Sequence, residues 1–139
     1  MGKKKFSIKQ PIKVPDGLSQ SEIDSFARVF YPLFSFKYLT DFSFRDCQDG
    51  RFFSAFLLRL KKLSELGWKE IEKSDRHSFG MEKIPREIIK HRIPPQITPE
   101  VPLFAFRAAG NNLPFVGFRE GKVFHIVFVE ASFGDIYDH

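Results

Sequence analysis

Residues 113–131 read LPFVGFREGKVFHIVFVEA. Two apolar runs flank a charged pair and a glycine, and Glu120-Gly121 is a good two-residue hairpin connection. The second run, KVFHIVFVEA, is the most apolar strand of the chain. An antiparallel pair therefore sits near the carboxyl end, and the rest of the fold is read outward from it. Just upstream, LFAFRAA (103–109) is another strand, and Asn111-Asn112 supplies a turn into the hairpin. Before it, IPPQITPEVP (93–102) has four prolines in ten residues. Such a segment cannot pair in mid-sheet and reads as an extended crossover loop.

Further upstream, HSFGMEKIP reads as a short strand, and Pro85 can start a short helix through REIIKHR. Asp49 precedes a longer helix with an apolar stripe of Phe53, Phe56, Leu57, Leu60 and Leu63. Arg59, Lys61 and Lys62 occupy its later turns, Gly67 is its C′ residue, and Trp68 docks on the core. LFSFKYLTDFSF (33–44) alternates Phe34, Phe36 and Tyr38 with Ser35 and Lys37, the pattern of a half-buried strand. LSQSEIDSFARVFYP (18–32) reads as a helix: Ser19 and Glu22 have capping-box spacing, Ile23, Phe26, Ala27 and Phe30 recur at helical spacing, and Pro32 stops it. The sum is one α+β domain over 18–139, with a mainly antiparallel sheet and two principal helices packed on one face. Residues 1–17, rich in Lys and carrying Pro11, Pro15 and Gly17, read as a basic flexible arm.

A chain of 139 residues with 42% hydrophobic content is long enough for one sizeable core. Eighteen phenylalanines need small neighbours to pack, and Gly80, Ala105, Ala108 and Gly117 can supply them. The single cysteine, Cys47, excludes an internal disulfide and points to a reducing compartment, hence the cytoplasm. No run of 18 apolar residues is present, so neither a membrane span nor a membrane partner is expected. Residues 1–15 hold five of the 22 cations and no acid, which leaves 17 cations against 17 acids and a neutral body. Residues 51–92 carry 11 cations against 6 acids, and a basic stretch of this kind either attracts phosphate or forms a solvated helix face.

The chemistry-bearing residues are few. His77, His91, His125 and His139 are widely spaced, with no HExxH or His-x-His pair, so no metal site is expected; nor is a cofactor, because phosphate loops and nucleophile elbows are absent. Cys47 reads either as a nucleophile or as a small buried hydrophobe. His125 shares a strand face with Val123, Val127 and Val129, opposite Val116 if Glu120-Gly121 is the turn; it is a partnered half-buried imidazole or a catalyst. Arg107 ends an apolar strand, where a guanidinium holds a phosphate or pairs with Glu130 or Glu82. Tyr137 and His139 point to one side of an extended end and can stack on a base and move a proton.

Residues 52–139 resemble the RelE/ParE-type toxins of bacterial toxin–antitoxin pairs, most closely the RelE- and YoeB-like endoribonucleases. The resemblance lies in the order of FFSAFLLRLKKLSELG, HSFGMEKI, LFAFRAA, PFVGFREGKVFHIVFV and a final IYDH. It implies RNA cleavage without metal, by attack of the ribose 2′-hydroxyl on the adjacent phosphate. It also implies RNA, including ribosome-bound RNA, and an antitoxin protein as partners. Carried over by position, Arg107 would hold the phosphate, His139 would act as acid or base, Tyr137 would stack on or orient the nucleotide, and Glu82 would be the base. His125 is a further catalytic candidate, and Lys61, Lys62, Lys83 and Arg119 would contact the RNA backbone. The chain departs from that group in its extra arm, helix and strand before residue 50, its proline-rich crossover and its neutral body. The other function the residues support is a non-catalytic module that binds protein or nucleic acid through its arm or a sheet edge.

Overall fold

The structure, a computed structural model, describes residues 16–22, 31–75, 78–108 and 113–138. Five strands form one sheet: β1 (Leu33–Ser35), β2 (Glu82–Ile84), β3 (Leu103–Arg107), β4 (Pro114–Glu120) and β5 (Val123–Val129). Their spatial order is β1-β5-β4-β3-β2. Every neighbouring pair is antiparallel except β1 with β5, which is parallel. Three α-helices lie wholly within the described residues: α1 (Asp41–Asp46), α2 (Gly50–Leu66) and α3 (Trp68–Lys73). The fold is therefore α+β with a mostly antiparallel sheet.

The helical part divides differently from the expected pair. Ser19 Oγ does accept from the Glu22 amide at 3.3 Å, as the capping box requires. The remainder of that helix, 23–30, lies outside the described residues, as do residues 1–15 of the arm and the Asn111-Asn112 turn. The strand expected over 33–44 is only three residues long, and Asp41–Asp46 is helical instead. The reason is tertiary. The Thr40 amide and hydroxyl both donate to the Val127 carbonyl, at 3.0 and 3.2 Å. Ser43 Oγ, fully buried, accepts from the Val129 amide at 3.0 Å. Helix α1 thus satisfies the β5 edge that short β1 leaves bare, and it shields that edge from foreign strands. REIIKHR forms only a 3-10 turn at Arg86–Ile88.

One face of the sheet carries α2 and α3. Asp49 caps α2 through bonds from the Arg51 and Phe52 amides at 2.9 and 3.1 Å. Phe56, Leu60 and Leu63 of α2 and Trp68 and Ile71 of α3 bury against Phe106, Phe115, Phe124 and Ile126. Gly67, at φ 82°, makes the break between the two helices. The buried stripe is rotated from the expected one: Phe53 and Leu57 are exposed. Phe34, Phe106, Phe115 and Phe124 meet mostly edge to face, with centroids 5.0–6.4 Å apart. Gly117 makes this possible, because a Cβ there would overlap the His125 carbonyl oxygen and the Phe124 ring.

The other face is covered mostly by chain without helix, with Phe42 of α1 tilted against Phe128. Ile84, Leu103, Ala105, Val116, Phe118 and Phe128 pack beneath Ile97 of the proline-rich crossover and Ile136 and Tyr137 of the final segment. Arg86 holds the crossover by donating to the carbonyls of Ile97 and Thr98, both at 2.8 Å. The hairpin loop is Gly121-Lys122, since Glu120 pairs with Val123, and Gly121 takes the left-handed φ of 59°. A bulge between Val116 and Gly117 then shifts the register. On the hairpin side of that bulge the Gly121-Lys122 loop sets His125 opposite Phe118, and the expectation of Val116, which assumed a Glu120-Gly121 loop, is corrected.

Candidate functional site

The final segment folds back over the sheet. Ile136 donates its amide to Glu130 Oε1 at 2.8 Å and accepts from the Lys90 amide at 2.8 Å. Lys90 Nζ reaches the Gly134 carbonyl at 2.9 Å and the Asp138 carboxylate at 2.6 Å. His91 stacks on Phe42 at 3.8 Å and donates from Nε2 to the Asp135 carbonyl at 2.8 Å. A carbonyl can only accept, so Nε2 carries the proton. These ties bury Ile136 completely and leave Tyr137 only 7% exposed.

Register then assembles a charged cluster beneath that segment. Arg107 pairs with Pro114, and the Glu130 amide donates to the Pro114 carbonyl at 3.0 Å. Arg107, Pro114 and Glu130 therefore form one row across three strands. Glu82 pairs with Ala105, which places it diagonal to Arg107 on the same face. Tyr137 feels all three charges. Burial pushes its phenol up to about 12; Glu82 and Glu130 push the same way, and Arg107 opposes them. The phenol thus stays protonated near neutral pH and can donate a hydrogen bond. Glu130, in the same row as Arg107, is fully buried.

Three sequence candidates, Arg107, Glu82 and Tyr137, are brought together. Glu130 belongs with them and was foreseen only as a pairing partner for Arg107. Its signal was a carboxylate directly following an unbroken apolar strand, where burial forces it to find donors. His139 lies outside the described residues, as does His77. His125 is elsewhere, near the hairpin end of β5. Its ring lies 4.8 Å from Phe118 and 5.2 Å from Tyr38, with Nε2 3.4 Å from Glu120. Its buried Nδ1 has no hydrogen-bond partner among the described residues.

No family model matches the chain, and no curated protein or solved structure is significantly similar to it.

The candidate RNA contacts do not surround the cluster. Lys61 and Lys62 are exposed on α2, and Lys83 pairs with Phe104, whose ring packs on the helix face. Arg119 stacks on Trp68 at 3.9 Å and pairs with Glu72 at 2.8 Å, also on the helix face. Cys47 is half-buried, and burial followed by the nearby Asp46 raises its thiol, the opposite of nucleophile activation. Among the described residues no three His, Cys, Asp or Glu side chains converge as a metal site. No described helix is long and apolar enough to cross a membrane.

Proposed function

We propose that the chain is an RNA endonuclease of the RelE/ParE type, with its chemistry in the Arg107–Glu82–Tyr137 cluster. The observation that carries this reading is the convergence of a guanidinium, a carboxylate and a protonated phenol on one sheet face beneath a folded-back tail. The order of elements agrees as well: a helix bearing cations, a short strand after a glycine, a strand ending in arginine, a hairpin and a tyrosine-bearing end. Glu82 takes the proton of the ribose 2′-hydroxyl as its oxygen bonds to phosphorus. Arg107 balances the charge that grows on the phosphoryl oxygens. The tyrosine, neutral at working pH, donates to one of those oxygens. The P–O5′ bond breaks, and the leaving 5′-oxygen takes a proton from His139.

The test is incubation of the purified protein with single-stranded RNA and with ribosome-bound message, in the presence of EDTA. The expected products end in a 2′,3′-cyclic phosphate and a 5′-hydroxyl. Arg107→Gln is expected to abolish them, and Tyr137→Phe to slow them about a hundredfold. Soluble, folded wild-type protein that leaves both RNAs intact overturns the proposal.

A second reading rests on the same residues. Arg107 has a carboxylate in its own row and another diagonal to it, so the cluster also serves as a clamp that holds the tail of a binding module. That reading gains if Arg107→Gln unfolds the protein while wild type cuts no RNA.

A further inference from the structure

A polar cleft opens beside β1, apart from the charged cluster. Its volume is about 340 Å³, and it lies between residues 37–41 and the proline-rich crossover, from which Pro94 and Gln96 line it. Clefts of roughly 300–1,000 Å³ are the size that takes small molecules. Both walls are braced. The Leu39 amide donates to the Phe36 carbonyl at 3.1 Å, and the Lys37 amide donates to Ser35 Oγ at 3.2 Å. Thr40 is pinned to the Val127 carbonyl by its amide and its hydroxyl. On the opposite wall the Ile97 amide donates to the Pro94 carbonyl at 3.0 Å, which closes the turn that carries Gln96. Tyr38 is held by Phe118 and His125, with ring centroids 5.4 and 5.2 Å away. Walls fixed in this way lower the ordering cost of binding.

The lining itself says what fits. It carries one cation, Lys37, and one acid, Asp41. Among the described residues neither is in an ion pair, and the Gln96 amide has no hydrogen-bond partner. Lys37 Nζ lies 5.2 Å from the Tyr38 ring centroid. A bare anion would meet the Asp41 carboxylate, and a bare cation would meet Lys37. The lining therefore suits a ligand with adjacent donors at one end and negative charge at the other. Guanine offers N1–H and the N2 amino group side by side, a donor pair that one carboxylate accepts. Adenine, cytosine and uracil have no two adjacent donors on that edge. Guanine O6, next to N1, accepts from an amide such as Gln96. A phosphate on the same nucleotide answers Lys37. Tyr38, Leu39 and Pro94 supply apolar walls for the base. An arginine side chain offers the same donor pair but would bring a second positive charge to Lys37.

We propose that this cleft binds a guanine nucleotide, with Asp41 and Gln96 reading the base and Lys37 meeting the phosphate. The nucleotide is either free or one residue of an RNA strand. Tyr38 packs in the same group as Tyr137, so the cleft and the charged cluster share a sheet face. The proposal does not depend on RNA cleavage by that cluster.

The test is calorimetric titration of the full chain with GMP, IMP, AMP and guanosine, and with the 2′-O-methyl oligonucleotides UUGUU and UUUUU. The blocked 2′-hydroxyls keep binding separate from any cleavage. GMP should bind about tenfold tighter than AMP, and about fivefold tighter than IMP, which lacks the N2 amino group. Asp41→Asn should erase both preferences. Lys37→Gln should weaken GMP about fivefold and leave guanosine unchanged. Lys37, Asp41 and Gln96 are exposed, so thermal midpoints should match wild type. A preference for UUGUU over UUUUU assigns the site to RNA, and GMP binding without that preference assigns it to the free nucleotide; either result supports a guanine site. Equal binding of GMP, IMP and AMP overturns the proposal, as does a guanine preference that survives Asp41→Asn. So do displacement of GMP by equimolar argininamide and the failure of both GMP and UUGUU to bind folded wild-type protein.

Discussion

Glu130 joins the sheet to the tail, and removing it tests both. Its side chain is fully buried, and Oε1 accepts from the Ile136 amide at 2.8 Å. In Glu130→Ala that amide loses its acceptor in a dry site, which costs about 1–3 kcal/mol. Arg107 also loses the carboxylate in its own row. Breaking a fully buried pair costs about 3–5 kcal/mol, but Arg107 is partly exposed and Glu82 remains, so roughly 1–2 kcal/mol of that applies. The expected total is about 2–5 kcal/mol, a large share of the roughly 5–15 kcal/mol typical of a domain. Glu130→Gln keeps an oxygen for the Ile136 amide and loses only the charge, so it should cost about 1–2 kcal/mol. Urea denaturation followed by the single tryptophan, Trp68, reads both, with unchanged m confirming an unchanged denatured state. If Ala and Gln fall within about 0.5 kcal/mol of each other, the carboxyl oxygen is not holding the tail. If Ala matches wild type, the tail is not docked.

Other perturbations address the edge, the bulge and the phenol. Ser43→Ala should cost about 1–3 kcal/mol and speed hydrogen exchange at the Val129 amide, which loses its 3.0 Å acceptor. Gly117→Ala should cost about 2–3 kcal/mol by thermal denaturation, because its Cβ would strike the His125 carbonyl rather than a movable side chain. The Tyr137 phenol is raised from 10.0 in the unfolded reference to about 12. Its contribution is therefore fully present below pH 10 and is lost as pH climbs through 12. That amounts to on the order of 2–3 kcal/mol, and Tyr137→Phe should remove this part of the alkaline loss in denaturation curves from pH 9 upward.

Much of the sheet was legible because its strands carry their own punctuation. Gly121, the proline run at 93–102 and the apolar alternation in 103–107 mark turn, crossover and strand without help from the rest of the chain. Register was less legible. Glu120-Gly121 and Gly121-Lys122 both place a glycine in the loop, and the pairing of Glu120 with Val123 chooses between them. Helix α1 was invisible because DFSFRD alternates like a strand; what makes it helical is the β5 edge some 85 residues away, which takes Thr40 and Ser43 as partners. Helix α2 is apolar on too many sides for periodicity to fix its rotation. Phe52, Phe56, Leu60 and Leu63 form one stripe and Phe53, Leu57 and Leu60 another, and contact with Phe115 selects the first. At the site, Arg107 and Tyr137 were legible as a charge and a phenol in apolar surroundings. Their convergence with Glu82 and Glu130 required the strand order, which no local pattern encodes.

The folded-back tail sets Tyr137 among Glu82, Glu130 and Arg107. The most direct measurement is the pH titration of the tyrosine ring carbons by NMR in protein labelled at its three tyrosines. The Tyr137 phenol should show a midpoint near 12 that falls in Glu82→Gln and rises in Arg107→Gln. A Tyr137 midpoint near 10 that neither substitution moves would contradict it.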